Sequence, residues 1–338
     1  MVNARATGAL IALFAGLLLL PAFASSYVLS LATLILLFAY TGQAWNILMG
    51  FAGQLSLGHA LYLGVGGYAA AALYFHYGIG PWLGLWLAIF LCALIAAFIG
   101  FLAFRYRISG VYFALLTIAF AEFTRIGFDH FSWVGGSGGL FLKVTQRESL
   151  DLLNLRGPPA MFYYGALMLA GAALVLCSWL LKSRPGFYWQ AIREDEEAAR
   201  ALGIDVFKWK MLAMILSAAL TSVAGVFIAL YYNNLFPEQI FHIGRSIEII
   251  LGPIIGGLGT LFGPVIGAAL LTLLAEIATE LMTALGWQFA GLKQLVYGVI
   301  LLFVIIFLPH GVWSPLARKL GIDNVSRRDA GAQSLDSK

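Results

Sequence analysis

Runs of roughly twenty apolar residues, separated by short polar links, repeat along the chain, and a helix needs about that length to cross a bilayer. The runs are Thr7 to Ala24, Tyr27 to Met49, His59 to Tyr77, Pro81 to Phe104, Ile108 to Phe128, Met161 to Leu181, Trp209 to Tyr232, Ser246 to Leu258, Leu261 to Leu285 and Ala290 to Leu308. They predict an all-α polytopic membrane protein of about ten transmembrane helices. Two runs keep two readings each. Thr7 to Ala24 is either a retained span or a signal peptide, since Arg5 precedes an apolar core and Ala22-Phe23-Ala24 resembles a cleavage site. Ser246 to Leu258 is short, and with the run after it forms either two spans or a broken, re-entrant hairpin. The chain divides into 1–26, a first span or signal-like segment; 27–182, a first transmembrane half with a long outer segment over 129–160; 183–208, a polar central loop; 209–308, a second transmembrane half; and 309–338, a polar tail.

The central loop is the one long polar interruption deep inside the chain. Ser183 to Lys208 holds Arg184, Arg193, Glu194, Asp195, Glu196, Glu197, Arg200, Asp205 and Lys208. Each charge costs roughly 2.5–3.5 kcal/mol at the bilayer centre, so the loop lies in water. Glu194 to Leu202 is rich in Ala, Glu, Arg and Leu, which favour a helix, and Gly203 is a C-cap candidate. Ile192, Ala199 and Leu202 recur at helical spacing and predict one apolar face. Either a short amphipathic helix docks here against another protein, or a solvated loop joins two spans.

Charge bias tests the ten-span count. With the central loop in the cytoplasm, both termini and the Phe104–Ile108 link are cytoplasmic as well. Those segments and the loop edges hold 14 of the 20 Lys and Arg residues, as the positive-inside rule requires. Composition agrees: 61% of the chain is hydrophobic and 11% charged, against about 25% charged in a soluble domain. The formal charge of +4 belongs to the loops, and no basic patch outside them points to nucleic acid. Cys92 and Cys177 fall in apolar runs and read as buried small hydrophobes, not a disulfide or metal pair.

Two glycine-rich segments interrupt the apolar pattern: Gly50 to Ala60, with Gly53, Gln54, Ser56, Gly58 and His59, and Gly252 to Pro264, with Gly256, Gly257, Gly259 and Thr260. Irregular backbone at membrane depth is tolerated only where protein or a water-filled cavity covers it. Such segments in corresponding halves point to a transport path; close helix packing through small residues is the other reading. Gln54, Ser56 and His59 are the polar groups nearest such a path, and His59 is either a structural hydrogen-bond donor or a proton carrier. Glu122 and Arg125, at i, i+3 near the outer end of their span, suit a local ion pair. The centres of the predicted spans hold no other ionisable residue, which argues against ion coupling. The sequence has no P-loop, no metal-type His/Cys spacing and no serine elbow. Active transport would therefore draw on another subunit, acting at the central loop.

Gly53-Gln54-Leu55-Ser56-Leu57-Gly58-His59-Ala60, followed by Gly64, Gly66 and Tyr68, resembles the hallmark of branched-chain amino acid ABC transporter permeases. Gly110 to Thr117, Gly135-Gly136-Ser137, and Gly256-Gly257-Leu258-Gly259-Thr260 with Gly263-Pro264 resemble further blocks of that family. The similarity runs from about Tyr40 to Gly311, and the length and outer segment favour the larger of the two paired permeases. Glu197-Ala198-Ala199 then Gly203 is similar to the permease coupling motif, without the Ile-x-Leu-Pro element that continues it in other importers. The resemblance implies a cytoplasmic coupling helix between spans 6 and 7, with Arg193, Glu194, Asp195, Glu197, Ala198, Ala199, Leu202 and Gly203 at the ATPase contact. The glycine-rich segments give an expected path along Gly53, Gln54, Ser56, Gly58, His59, Gly256, Gly257, Gly259 and Thr260, together with Thr117. The resemblance implies a bacterial inner-membrane assembly with a second homologous permease, two cytoplasmic ATP-binding subunits that bind the ATP, and a periplasmic substrate-binding protein. No cofactor, metal or catalytic residue is expected in this chain. Urea and short-amide importers, or importers of a broader set of amino acids, share the architecture. A stand-alone channel or ion-driven carrier would transport without ATP.

Overall fold

The computed structural model describes residues 16–142, 151, 154–286, 291–308 and 311–320. Residues 7–15 of the Thr7 to Ala24 run, positions 143–150 and 152–153 of the outer segment, and the tail beyond 320 lie outside the described residues; residues 16–23 are helical.

The described chain is a bundle of helices. In order they are α1 (Ser26–Asn46), α2 (His59–Tyr77), α3 (Pro81–Arg105), α4 (Gly110–His130), α5 (Pro159–Leu181), α6 (Arg184–Glu194), α7 (Glu196–Ala201), α8 (Val206–Tyr232), α9 (Pro237–Ile240), α10 (Ile243–Gly256), α11 (Gly263–Ala284), α12 (Leu292–Phe307) and α13 (Trp313–Leu320). Their ends carry the expected chemistry. The Ser25 side chain caps α1 by accepting from the Val28 N–H, and Asp205 caps α8 by accepting from Lys208 N–H. Proline opens α3 and α5, where its missing N–H has no helical partner to lose. Gly78 ends α2 in the left-handed region.

Among the described residues, six helical stretches are long and apolar enough to cross a membrane: Ser26–Phe51, Pro81–Arg105, Gly110–His130, Pro159–Leu181, Val206–Tyr232 and Gly263–Ala284. Three further expected runs are helices outside that set, at 19, 14 and 16 residues for α2, α10 and α12. Helix α10 and the start of α11 form a tight hairpin about the break at 257–262, with Gly252, Gly256, Gly263 and Gly267 in their crossing. One feature departs from the all-α expectation. Leu140–Phe141 (β1) and Asn234–Leu235 (β2) pair antiparallel, Leu140 opposite Leu235.

At the centre, α8 packs between α2 and α3 and also touches α1. Small residues let the backbones meet, which suits a bundle where apolar burial gives no preference for helix over lipid. A Cβ on Gly66 would stand 2.5 Å from the Ser222 carbonyl oxygen, and one on Gly225 would overlap the Leu63 carbonyl. Two tyrosine hydroxyls add polar links: Tyr40 of α1 donates to the Leu220 carbonyl of α8 and Tyr68 of α2 to the Leu235 carbonyl of β2, each at 2.9 Å. Cys92 and Cys177 are free, buried and part of this core.

Gly225→Val is expected to lower the thermal unfolding midpoint of the purified protein, because overpacking a tight crossing costs about 1–3 kcal/mol. Gly127→Ala, at an α4 position with open space around it, is expected to leave the midpoint unchanged.

Candidate functional site

The last turn of α1 widens into a π-helix, Ile47–Phe51, a distortion found mostly at functional positions. From Ala52 to Gly58 the backbone is irregular, and α2 then begins at His59. This first break is buried, and its polar groups are tied to four helices. Trp45 Nε1 donates to the Ser56 carbonyl (2.8 Å). The Leu57 N–H donates to Thr117 Oγ1 on α4 (3.0 Å), whose hydroxyl donates to the Ala114 carbonyl (2.8 Å). The Ala60 N–H donates to Ser246 Oγ on α10 (2.9 Å). Gln54 stays within the break, donating to the Ala52 carbonyl.

His59 joins the break to α8. The Ser217 hydroxyl gives its proton to the Ala44 carbonyl (2.6 Å), so Ser217 Oγ accepts from His59 Nε2–H (2.8 Å). Nδ1 then accepts from the Ser56 hydroxyl (3.3 Å). The ring is a neutral Nε2–H tautomer with both nitrogens occupied and no solvent exposure. That geometry fits a structural hydrogen-bond group, not a proton carrier.

The second break, Gly257 to Phe262, lies against the first. Asn46 clamps it with both ends of its amide: Oδ1 accepts from Gly259 N–H (2.9 Å) and Nδ2 donates to the Thr260 carbonyl (3.0 Å). One turn earlier, Gln43 Nε2 donates to the Leu261 carbonyl. Thr260 Oγ1 accepts from the Gly263 N–H and donates to the Gly257 carbonyl, which sets the start of α11. Arg193, at the end of α6, reaches the same place. Its Nη1 donates to the Gly50 carbonyl (2.6 Å) while Nη2 pairs with Glu194 (2.8 Å). Gly259, at φ 74, has room for no side chain here: a Cβ would lie 2.5 Å from Arg193 Nη1 and 2.8 Å from the Gly50 oxygen.

The central loop corrects the expectation of one helix from Glu194 to Leu202. Asp195 is extended, at φ −154 and ψ 112, and starts a second helix, its Oδ1 accepting from the Glu197 and Ala198 N–H groups. Aspartate is a strong N-cap, and here that preference overrides the helix propensity of its neighbours. The break shifts the phase of the apolar face. Ile192 and Ala199 bury against Val206, but Leu202 points outward, 82% exposed. Glu197, Ala198 and Gly203 are exposed too, and Gly203 closes α7 at φ 84 as expected. The α6–α7 unit is fixed to α8 by two links. Trp189 Nε1 donates to the Trp209 carbonyl (2.7 Å). Lys210, 4% exposed, pairs with Glu196, which also pairs with Arg200. Of the expected coupling residues, Arg193 is the one bonded to the π-helical turn that precedes the first break. At the other end of α4, Glu122 and Arg125 form the predicted pair (2.6 Å), and Arg125 also holds Asp129 (2.7 Å).

The family described as "Branched-chain amino acid transport system / permease component" matches residues 26–305. The chain belongs to that family. The permease is similar to the "High-affinity branched-chain amino acid transport system permease protein LivM" of Escherichia coli (strain K12), 27% identical over 90% of this chain and 74% of the relative. It is 28% identical to the LivM protein of Salmonella typhimurium, over 83% of this chain and 69% of the relative. The LivH permease protein of Escherichia coli (strain K12) is 26% identical over 42% of this chain and 43% of the relative. No solved structure matches the chain.

The residues that hold one or other of the permease's breaks include several that spacing did not single out: Gln43, Asn46, Ser217 and Ser246. Gln43 and Asn46 carried a signal, being the two amide side chains in the apolar run Tyr27 to Met49; an amide in such a run needs a protein partner. Gln43 Oε1 is buried without a hydrogen-bond partner among the described residues.

Asn46→Leu strands the Gly259 N–H and the Thr260 carbonyl, at about 1–3 kcal/mol for a buried group left unpaired. It is expected to lower the thermal midpoint of the purified permease. Asn46→Asp keeps the acceptor for Gly259 and is expected to lose less; equal midpoints for wild type and Asn46→Leu would contradict the clamp.

Proposed function

We propose that the permease is the membrane-spanning subunit of an ATP-driven importer that carries leucine, isoleucine and valine across the bacterial inner membrane. It works beside a second homologous permease, on two cytoplasmic ATP-binding subunits, and receives cargo from a periplasmic binding protein. The observation that carries this reading is Arg193. It joins the polar unit α6–α7, which faces out of the bundle, to the carbonyl of Gly50. Beside that bond, Asn46 holds the second break. A push on α7 therefore has a bonded route to the π-helical turn that leads into the first break and lies beside the second.

In this reading about ten spans cross the membrane, with both termini and α7 in the cytoplasm. The exposed face of α7, with Glu197, Ala198, Leu202 and Gly203, sits in a groove of an ATP-binding subunit. Arg193, Glu194 and Asp195 carry its movement inward, and Ala199 keeps α7 seated on Ile192 and Val206. The two breaks, with Gly53, Gln54, Ser56, Gly58, His59, Thr117, Gly256, Gly257, Gly259 and Thr260, form the wall of the path that shifts between inward and outward access. ATP is bound by the partner subunits, and this chain supplies no catalytic group.

Two measurements test the reading. Deleting the chain is expected to abolish ATP-dependent uptake of labelled leucine, with isoleucine and valine competing and urea not. Competition by urea instead would move the cargo to short amides. Glu197→Lys or Gly203→Val is expected to reduce uptake about tenfold, equivalent to about 1.4 kcal/mol of lost contact, while the protein stays in the membrane. Undiminished uptake in both variants would remove α7 from the coupling role.

A further inference from the structure

Beside α7 is a cavity of about 840 Å³ whose lining shares Glu197 with the coupling face of the transport reading and is otherwise outside it. Three membrane-length helices end at it: α3 at Arg105, α4 at Gly110 and α8 at Val206. The cavity therefore sits at the level where lipid headgroups meet the hydrocarbon. Its size suits a large ligand. Its apolar side includes Phe101 and Phe207, which meet edge to face at 6.3 Å and are 49% and 38% exposed.

The two polar walls differ in sign. The α3–α4 link contributes Arg105 and Arg107, neither of which has an acidic partner among the described residues. Arg107 stands at φ 55, a conformation uncommon outside glycine. The α7–α8 wall contributes Glu196, Glu197 and Asp205 against Arg200 and Lys210, a formal charge of −1. There Glu196 is shared by both cations and Asp205 caps α8, while Glu197 enters no ion pair among the described residues.

We propose that this cavity binds a glycerophospholipid whose headgroup carries both a phosphate and a primary ammonium, as phosphatidylethanolamine does. The phosphate lies on Arg105 and Arg107, the ammonium faces the Glu197 wall, and an acyl chain runs along Phe101 and Phe207. Walls of opposite sign favour this headgroup over a purely anionic one. A primary ammonium can donate hydrogen bonds to carboxylates; the quaternary ammonium of phosphatidylcholine cannot. The bound lipid would tie the α3–α4 link to α7, the helix through which the permease is driven.

The test is native mass spectrometry of the full chain purified in detergent and offered equal amounts of phosphatidylethanolamine, phosphatidylglycerol and phosphatidylcholine. The expected result is preferential retention of phosphatidylethanolamine. The double variant Arg105→Gln, Arg107→Gln is expected to weaken it about thirty-fold, from the usual worth of a basic residue at a headgroup. Glu197→Gln is expected to shift the preference toward phosphatidylglycerol. Equal retention of the three lipids, a preference for phosphatidylglycerol in the wild type, or unchanged binding in the double variant overturns the proposal. Equal binding of glycerophosphoethanolamine, which lacks acyl chains, would make this a site for a soluble phosphate ester and overturns it too. So does loss of the lipid when an ATP-binding subunit is added, because the cavity would then be a subunit contact. None of these readings depends on transport, so the failure of the importer assignment and the failure of this one are distinguishable.

Discussion

Backbone that leaves the helix inside an apolar bundle must find hydrogen-bond partners in the protein, since lipid offers none. The permease meets that constraint by tying both irregular segments to the end of α1 and the helices around it. The amide of Asn46 holds Gly259 and Thr260, the Gly50 carbonyl takes the guanidinium of Arg193, and Gly259 lies where those two groups leave no space for a side chain. His59, Thr117 and Ser246 anchor the first break to α8, α4 and α10. The end of α1 is common to both breaks: Trp45 holds the first and Asn46 the second.

The same constraint explains how a surface element can act on the interior. The α6–α7 unit is stiff where it meets the bundle: its core is Ile192, Ala199 and Val206, and the Lys210–Glu196 pair holds α7 to the first turns of α8. A charge as buried as Lys210 is strongly destabilising once its partner is removed, so that pair resists being pulled apart. In the proposed coupling role, motion of the exposed face would be carried by the whole unit, with Arg193 as its bond to the π-helical turn that leads into the first break. The outward-facing Leu202, Glu197 and Gly203 are free to meet a partner without disturbing that contact.

Much of this was legible in the sequence, because it rests on local pattern. Apolar runs marked the helices, proline and glycine marked their ends, and the two glycine-rich segments marked the breaks. The meeting of the breaks was not legible: Asn46 and Gly259 are 213 positions apart, and Arg193 and Gly50 are 143 apart. Spacing along one helix says nothing about such a pair. The central loop was misread for a different reason. Helix propensity over Glu194 to Leu202 treats Asp195 as an interior residue, but aspartate gains more by capping the helix that follows it. That one turn of broken helix moved Leu202 off the buried face. The β1–β2 pair was invisible because two residues are too few to show alternation.

The central claim is that Arg193 transmits work between α7 and the two breaks. The direct measurement is the ratio of leucine uptake to ATP hydrolysis for the permease reconstituted with its partner subunits and carrying Arg193→Gln. The account predicts that hydrolysis continues while uptake per ATP falls about tenfold or more, the equivalent of roughly 1.4 kcal/mol of coupling. An unchanged ratio would contradict it.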